Sequence, residues 1–305
     1  MNKYSIYGLI VGSTVEFEQL IKVDDKSSPD VVILEGKCAD EVTEYLKKSN
    51  SYDRQYEIGL EYSCFMNKGG YYVISGGKSI VFETKEGYTP ESVSSWLLGF
   101  SFAMLLLQRR TLAIHCSAIC TDTGNESDGA ILIAGNPGAG KSSLTKKLME
   151  DGYKIMADDV AAVKLEDDDV SVYPAFPFQK LVRNEVEKRC LNKDELIYIN
   201  EDKDKFLVPV GDAFYPDMCK LKFMVFIVVA DVPEVQVKKL VGIEQLMAFR
   251  ANLFLHKLNG EWETFPEVLD LCLKAAGKCP VHMITRPRNV DSVAAMAEIV
   301  KNIQV

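Results

Sequence analysis

The chain has 305 residues, of which 47% are apolar, so it is long enough for one large domain or two modest ones, each with its own core. It carries 35 basic and 44 acidic residues, which gives a formal net charge of −9. Because an acidic protein repels nucleic-acid phosphates and anionic lipid, we expect neither nucleic acid nor a membrane surface as a partner.

The sequence carries no pattern that favours export or membrane insertion. Its N-terminal stretch, MNKYSIYGLIVGSTVEFEQL, has a short, interrupted apolar run and no small-residue cleavage site. The longest apolar stretch, residues 96–107, is shorter than the roughly 20 residues that a membrane-spanning helix needs. The eight cysteines form no CxxC pair, which favours buried thiols in a reducing compartment. We therefore expect a cytoplasmic protein.

Residues 1–88 predict a small, mostly β domain. Segments rich in valine, isoleucine, tyrosine and phenylalanine alternate with polar residues, and glycine or asparagine separates them. These segments are YSIYGLIV, DVVILEG, IGLEYSC, YYVISGG and SIVFET. None of them carries a catalytic pattern, so we expect a structural or substrate-positioning role for this domain.

A buried helix is predicted to open the second domain, which comprises residues 89–305. Thr89 is a suitable N-cap, and Pro90 suits the first helical position. The segment WLLGFSFAMLLL is apolar on all sides, which is typical of a helix inside a core. Arg109 and Arg110 suit its C-terminal end, where cations interact favourably with the helix dipole.

Strands and helices are predicted to alternate in the second domain, which indicates an α/β fold. The extended run TLAIHCSAIC precedes a strand AILIAG, a helix KSSLTKKLMED and a strand YKIMA. Further on we expect an extended piece VAAVKL, a solvated turn EDDD and a strand KFMVFIVVA. Two helices, a strand VHMIT and an amphipathic helix with Val293, Met296, Val300 and Ile303 on one face complete the chain.

Residues 135–142, GNPGAGKS, fit the phosphate-binding pattern G-x-x-x-x-G-K-[ST]. The glycines allow backbone N–H groups to turn inward around phosphate oxygens, while Lys141 offers a point charge to the β- and γ-phosphates. The Ser142 hydroxyl is a suitable Mg²⁺ ligand. The residues predicted to bind the nucleotide are Gly135, Asn136, Pro137, Gly138, Ala139, Gly140, Lys141, Ser142 and Ser143. The pattern follows a predicted strand and opens a predicted helix, so we expect an ATP site with Mg²⁺; GTP is not excluded.

Two adjacent carboxylates, Asp158 and Asp159, end the next predicted strand. A strand parallel to AILIAG would bring both to the edge of the sheet that carries the glycine-rich loop. One carboxylate could then hold Mg²⁺ and the other accept a proton from an incoming hydroxyl group. The alternative is that only one faces the site and the other caps the following turn.

His115 is a third candidate, on the strand that precedes AILIAG. A single histidine in an apolar strand is more often a core residue whose nitrogens are satisfied, and its spacing alone favours that interpretation.

The run LAIHCSAI followed by LIAGNPGAGKSSLTKKLMEDGYKIMADDV resembles the ATP-binding core of HPr kinase/phosphorylase, which has the phosphoenolpyruvate carboxykinase-like fold. A wider resemblance is to HPr kinase-like proteins found beside peptide-modification operons. It rests on the N-terminal module and on the segments LLLQRRTLAIH and VYPAFPFQKL. Some of these proteins phosphorylate a serine on a small peptide. The resemblance implies that Asp158 is the base with His115 beside it, that Asp159 serves the metal, and that the chain can form a homo-oligomer.

The sequence departs from HPr kinases in one respect. It lacks their glutamate–x–arginine–glycine signature, and PAFPFQKLVRNE occupies that region, which argues against HPr as the acceptor and against a reverse phosphorylase activity. Lys180 and Arg183 could supply the missing charge near the γ-phosphate, as could Arg286 and Arg288 in TRPRNV. Each of these four could equally be a surface cation.

The sequence therefore predicts an ATP-dependent kinase of a hydroxyl group, serine on a protein or peptide, with an acceptor that a neighbouring gene could encode. Two alternatives stay open: a nucleotide-binding scaffold without phosphoryl transfer, and a small-molecule kinase or carboxykinase-like enzyme. An open cleft over the loop favours a peptide acceptor, and a closed pocket favours a metabolite.

Overall fold

The computed structural model describes residues 1–121, 128–166, 169–200, 204–257 and 265–303. Part of the predicted EDDD turn, residues 167–168, lies outside them. The described part of the chain is a mixed α/β structure. Its strands are β1 (Asn2–Ile6), β2 (Leu9–Ser13), β3 (Ile21–Lys22), β4 (Val31–Glu35), β5 (Tyr56–Glu57), β6 (Tyr62–Met66), β7 (Gly70–Ser75), β8 (Ser79–Thr84), β9 (Leu112–Ile114), β10 (Cys116–Cys120), β11 (Ala130–Gly135), β12 (Lys154–Ala157), β13 (Ala161–Glu166), β14 (Asp169–Tyr173), β15 (Phe178–Val182), β16 (Ile197–Asn200), β17 (Asp204–Pro209), β18 (Cys219–Ala230), β19 (Gln236–Leu240) and β20 (Val281–Pro287).

The α-helices are α1 (Ala39–Lys48), α2 (Ser94–Trp96), α3 (Phe102–Gln108), α4 (Lys141–Glu150), α5 (Arg183–Lys188), α6 (Ile243–Ala251), α7 (Pro266–Lys278) and α8 (Val293–Asn302). A π-helical segment, Leu97–Ser101, joins α2 to α3. Among the described residues, none of the helices combines the length and the apolar character that crossing a membrane requires.

The chain divides into two compact units. The first comprises Met1–Thr111, Phe178–Pro209 and Lys257–Phe265, and the second comprises Leu112–Pro177, Val210–His256 and Pro266–Val305. The first unit thus extends beyond residue 88, where the sequence predicted a domain boundary, and it takes in a segment from the middle of the chain.

The first unit contains an eight-stranded sheet with the order β3-β1-β2-β4-β8-β7-β6-β5. The predicted strand YSIYGLIV is divided between β1 and β2, which pair antiparallel around Tyr7 and Gly8. Both turn residues have positive φ, as a tight hairpin of matching twist requires. Helix α1, which the sequence did not predict, packs Val42 and Leu46 against Cys64 of this sheet. Strands β15, β17 and β16 form a separate three-stranded sheet.

The helical segment that follows Thr89 begins later than predicted. Thr89 caps a turn, since the Ser92 backbone N–H donates to its hydroxyl at 3.3 Å, and the helix begins at Ser94. The prediction that its apolar stretch is buried is confirmed for α3, of which every residue from Phe102 to Leu107 is buried.

The second unit contains a nine-stranded sheet in which the order β12-β10-β11-β18 places the glycine-rich loop near its centre. Strands β11, β18 and β20 run parallel, so their carboxyl ends lie at one edge. Helices α4 and α8 cover this part of the sheet, with Leu144, Leu148, Met296 and Val300 in the core. The prediction of an amphipathic C-terminal helix is therefore confirmed.

Candidate functional site

Three chain segments meet at one edge of the second sheet. Strand β10 lies between β11 and β12 and runs antiparallel to both; Cys116 pairs with Ala134, and Ala118 pairs with Ala157. The start of β10 therefore lies beside the ends of β11 and β12. This register brings the residues at position 115, in the glycine-rich loop and in the acid doublet to a common edge. Strand β12 runs parallel to β11, as the sequence predicted, but β10 separates them.

The glycine-rich loop joins β11 to α4. Gly135 has a φ of 146°, and a Cβ at this position would lie 2.6 Å from the Ile227 carbonyl oxygen, so only glycine fits there. Gly138 and Gly140 also have positive φ. The Lys141 ammonium donates to the Gly135 carbonyl at 2.6 Å, inside the loop. Helix α4 directs its N-terminal N–H groups toward the loop, which is the general arrangement for binding an anion.

The charges of the site act together on one buried thiol. Burial is the main cause that raises the pKa of Cys116, which is fully buried on β10. The positive charge of Lys141 lowers this pKa, while the charges of Asp158 and Asp159 raise it. The register of β10 with β11 and β12 places Lys141 and the acid doublet near the start of β10, where these charges act on the thiol.

Asp158 is held by a residue that the sequence did not indicate. The Ser117 hydroxyl donates to Asp158 Oδ1 at 2.7 Å, and Ser117 is buried on β10. No motif marks Ser117, which lies within the apolar run CSAIC; its contact with Asp158 depends on the pairing of β10 with β12.

His115 lies between β9 and β10, and the prediction of one continuous strand through it is wrong. Its backbone N–H donates to the Asn252 carbonyl at 2.6 Å, which takes it out of both strand ladders. Its Nδ1 lies 3.0 Å from the Asp159 carbonyl oxygen and 3.4 Å from Asp159 Oδ1. Because a carbonyl oxygen only accepts, Nδ1 carries a proton, and Nε2 is the basic nitrogen of the neutral ring.

The backbone of Asp159 is strained. Its φ of 75° lies in the left-handed region, which few residues other than glycine adopt, although aspartate is among the more tolerant. Its side chain is 18% exposed. Non-glycine residues in this region cluster at sites where the surrounding contacts enforce the geometry, and here His115 supplies such a contact.

The oxygen ligands of the site suit Mg²⁺. Within the described ranges, no group of three or more histidine, cysteine, aspartate or glutamate side chains is arranged to hold a metal. Mg²⁺ does not need such a cage, because it commonly takes one or two carboxylates and completes its coordination with water and substrate phosphates. The Ser142 hydroxyl and the Asp159 carboxylate are hard oxygen donors of this kind. The residues therefore fit a metal ion that arrives with a nucleotide.

The four predicted cations are distributed between the two units. Lys180 on β15 and Arg183 at the start of α5 belong to the first unit, where Arg183 pairs with Asp204. Arg286 lies one residue before the end of β20 and donates from Nε to the Ala139 carbonyl at 2.8 Å. Arg288 is exposed and lies 3.5 Å from Asp231.

A cavity of about 360 Å³ adjoins the loop at the carboxyl ends of β11, β18 and β20. Open α/β sheets bind ligands at this edge. Its lining consists of Asn136, Pro137, Gly138, Ala139, Ile227, Val228, Val229, Arg286, Arg288 and Asn289. The cavity lies on the β18 side of the loop, whereas the acid doublet lies on the β10 side.

No family model matches the sequence, and no curated protein matches it. Among solved structures, the chain is similar to the Hpr(Ser) kinase/phosphatase from Coxiella burnetii. The two are 13% identical, and the match covers 62% of this chain and 94% of that one, with a TM-score of 0.32. This is a distant structural relationship.

Proposed function

We propose that the chain is an ATP-dependent kinase of the HPr kinase-like type, which phosphorylates a hydroxyl group, serine on a protein or peptide. The observation that supports this proposal is the common sheet edge to which the register of β10 with β11 and β12 brings the glycine-rich loop, the acid doublet and His115. A phosphate cradle beside a pair of carboxylates has the components that phosphoryl transfer needs.

In this proposal the loop binds the nucleotide phosphates. The inward backbone N–H groups and the N-terminus of α4 face the anion, and Lys141 exchanges its bond to the Gly135 carbonyl for one to a phosphate oxygen. Ser142 and Asp159 would hold Mg²⁺, which when bound offsets the negative charge of the phosphates.

Asp158 is the proposed general base. Its Oδ1 accepts a hydrogen bond from the Ser117 hydroxyl, which fixes the orientation of the carboxylate. The carboxylate accepts the proton of the acceptor hydroxyl while that oxygen forms a bond to the γ-phosphorus. The bond from the γ-phosphorus to the bridging oxygen breaks, and ADP leaves. His115 orients Asp159 through its Nδ1 contacts.

The direct test is incubation with γ-labelled ATP, Mg²⁺ and the small protein or peptide encoded beside the gene. We expect label on a serine of that acceptor. Lys141→Met should abolish labelling, whereas Lys146→Met should retain it, because Lys146 lies on the same helix and pairs with Glu150 at the surface.

Two other outcomes contradict the proposal. Release of labelled phosphate without a labelled acceptor would favour a nucleotide-driven switch over a kinase. Equal labelling of the acceptor by Lys141→Met and by the wild type would mean that the glycine-rich loop takes no part in phosphoryl transfer.

A further inference from the structure

The Arg286 guanidinium is bound by backbone carbonyl groups on two sides. Nε donates to the Ala139 carbonyl at 2.8 Å and Nη2 to the Gly138 carbonyl at 3.3 Å, both in the glycine-rich loop. Nη1 donates to the Pro287 carbonyl at 3.1 Å and to the Val290 carbonyl at 3.5 Å. The side chain therefore fastens the loop to the end of β20, although 147 positions separate Arg286 from Ala139 in sequence.

These bonds fix the direction of loop N–H groups. In a trans peptide the carbonyl and the following N–H point to opposite sides, so a fixed Ala139 carbonyl also fixes the Gly140 N–H. Gly138 and Gly140 have positive φ, and glycine leaves the backbone more conformational freedom to lose on binding. Because Arg286 binds the carbonyls of Gly138 and Ala139, the loop has already lost part of this freedom before an anion binds.

We propose that Arg286 is a positioning residue that holds the phosphate loop in its binding shape, and that it is not a contact of the γ-phosphate. This inference rests on the proposed nucleotide site. It also explains why arginine occupies the position, because a planar guanidinium directs donors to carbonyls on two sides in one fixed geometry, whereas an ammonium group on a flexible stem does not hold that geometry.

The test compares the affinities of ADP and of the non-hydrolysable ATP analogue AMP-PNP, each with Mg²⁺, for the wild type, Arg286→Gln and Arg286→Lys. A loop-positioning role predicts that Arg286→Gln lowers the affinities for ADP and AMP-PNP equally, by about tenfold. This factor corresponds to the free energy of one charge-assisted hydrogen bond. Arg286→Lys should restore little. The control Lys239→Gln removes one positive charge from the neighbouring strand β19 and should leave both affinities unchanged.

Loss of AMP-PNP affinity alone would assign Arg286 to the γ-phosphate and overturn the inference. Unchanged affinities, or full rescue by Arg286→Lys, would also overturn it.

Amide hydrogen exchange in the nucleotide-free protein separates this inference from the proposed function. Arg286→Gln should accelerate exchange in a peptide that covers residues 135–144 and leave β1 to β8 unchanged. Unchanged exchange in the loop would refute the positioning role even if the wild type binds and transfers phosphate. A wild type that binds neither nucleotide, with accelerated exchange in the variant, would instead refute the proposed function alone.

Discussion

The two compact units use carboxylates in different ways. In the first unit, Glu83 on β8 lies at the start of helix α1, where its Oε2 accepts the backbone N–H groups of Cys38 at 2.7 Å and Ala39 at 2.9 Å. These are donors that no helical carbonyl can satisfy. In the second unit, Asp158 accepts a serine hydroxyl, and Asp159 lies against His115 on a strained backbone.

Exposure does not separate the two cases. The Glu83 side chain is 19% exposed and that of Asp159 is 18% exposed. What differs is the partner: Glu83 accepts two backbone N–H groups at the start of a helix, whereas the doublet contacts the Ser117 hydroxyl and the His115 ring. The comparison predicts that changes at the doublet affect catalysis and changes at Glu83 affect stability.

The largest expected effect is at Asp158, the proposed base. Asp158→Asn keeps the size of the side chain and an acceptor for Ser117 but loses the proton-accepting carboxylate. We expect kcat for phosphoryl transfer to fall about 10²- to 10⁴-fold, the usual contribution of general base catalysis, with little change in ADP affinity. Labelling of the acceptor and ADP titration measure the two quantities.

The matched control for this change is Asp169→Asn. Asp169 is exposed at the start of β14 and pairs with Lys220 at 2.6 Å. It should retain wild-type transfer. If Asp158→Asn transfers phosphate as well as the control does, Asp158 is not the base, and the contrast between the two units loses its main support.

A second effect concerns the loop itself. In Gly135→Ala the new methyl group would lie 2.6 Å from the Ile227 carbonyl oxygen, and neither β11 nor β18 can move without disturbing the sheet. We expect a loss of about 1 to 3 kcal/mol in the free energy of unfolding and a matching loss of nucleotide affinity. Thermal unfolding and ADP titration report on these effects.

Gly152→Ala provides the comparison, since a Cβ there meets no atom within 4 Å although its φ is also positive. Its cost should be confined to backbone strain at the end of α4, with ADP affinity unchanged. Equal losses of ADP affinity in both variants would mean that the tight packing of β11 against β18 does not shape the loop.

A smaller effect is expected at Ser117. Ser117→Ala removes the hydroxyl that donates to Asp158 but leaves the Asp158 carboxylate in place. We expect kcat to fall about tenfold, by the worth of one hydrogen bond to a charged group, while KM for the acceptor changes little. Ser117→Thr, which keeps a hydroxyl group, should recover part of the rate; an unchanged rate in Ser117→Ala would mean that this contact is not needed to align Asp158.

The parts of the site that could be predicted from the sequence are local. The glycine-rich pattern includes its own strand end and helix start, and Asp158 and Asp159 follow one helix and one short strand later. The rule that carboxyl ends of parallel strands meet at one edge then suffices to bring the two segments together.

The parts that the sequence did not indicate depend on distant partners. The break at His115 is set by the carbonyl of Asn252, and helix α1 begins without a capping side chain of its own because Glu83 provides the acceptor. The hydrogen bond from Arg286 to the Ala139 carbonyl likewise joins residues that are distant in sequence. Periodicity and capping residues are local features of the chain and carry no information about such contacts.

The smallest expected effect is at Glu83, and it depends on pH. The N–H groups of Ala39 and Cys38, in that order, lower the pKa of the Glu83 carboxyl. The charged form is thus favoured in the folded protein, so its stabilising contribution is complete above the ordinary glutamate pKa of about 4.3 and is lost as the pH falls through the lowered value.

Glu83→Gln should cost about 1 kcal/mol in the free energy of unfolding at neutral pH, as for other helix caps, and leave phosphoryl transfer unchanged. In urea titrations followed by circular dichroism, the difference from the wild type should shrink with acidification, whereas the exposed Glu86→Gln should match the wild type throughout. A difference that stays constant below pH 4 would mean that the Glu83 charge is not what stabilises the start of α1, and a loss of transfer activity would remove the distinction between the two units.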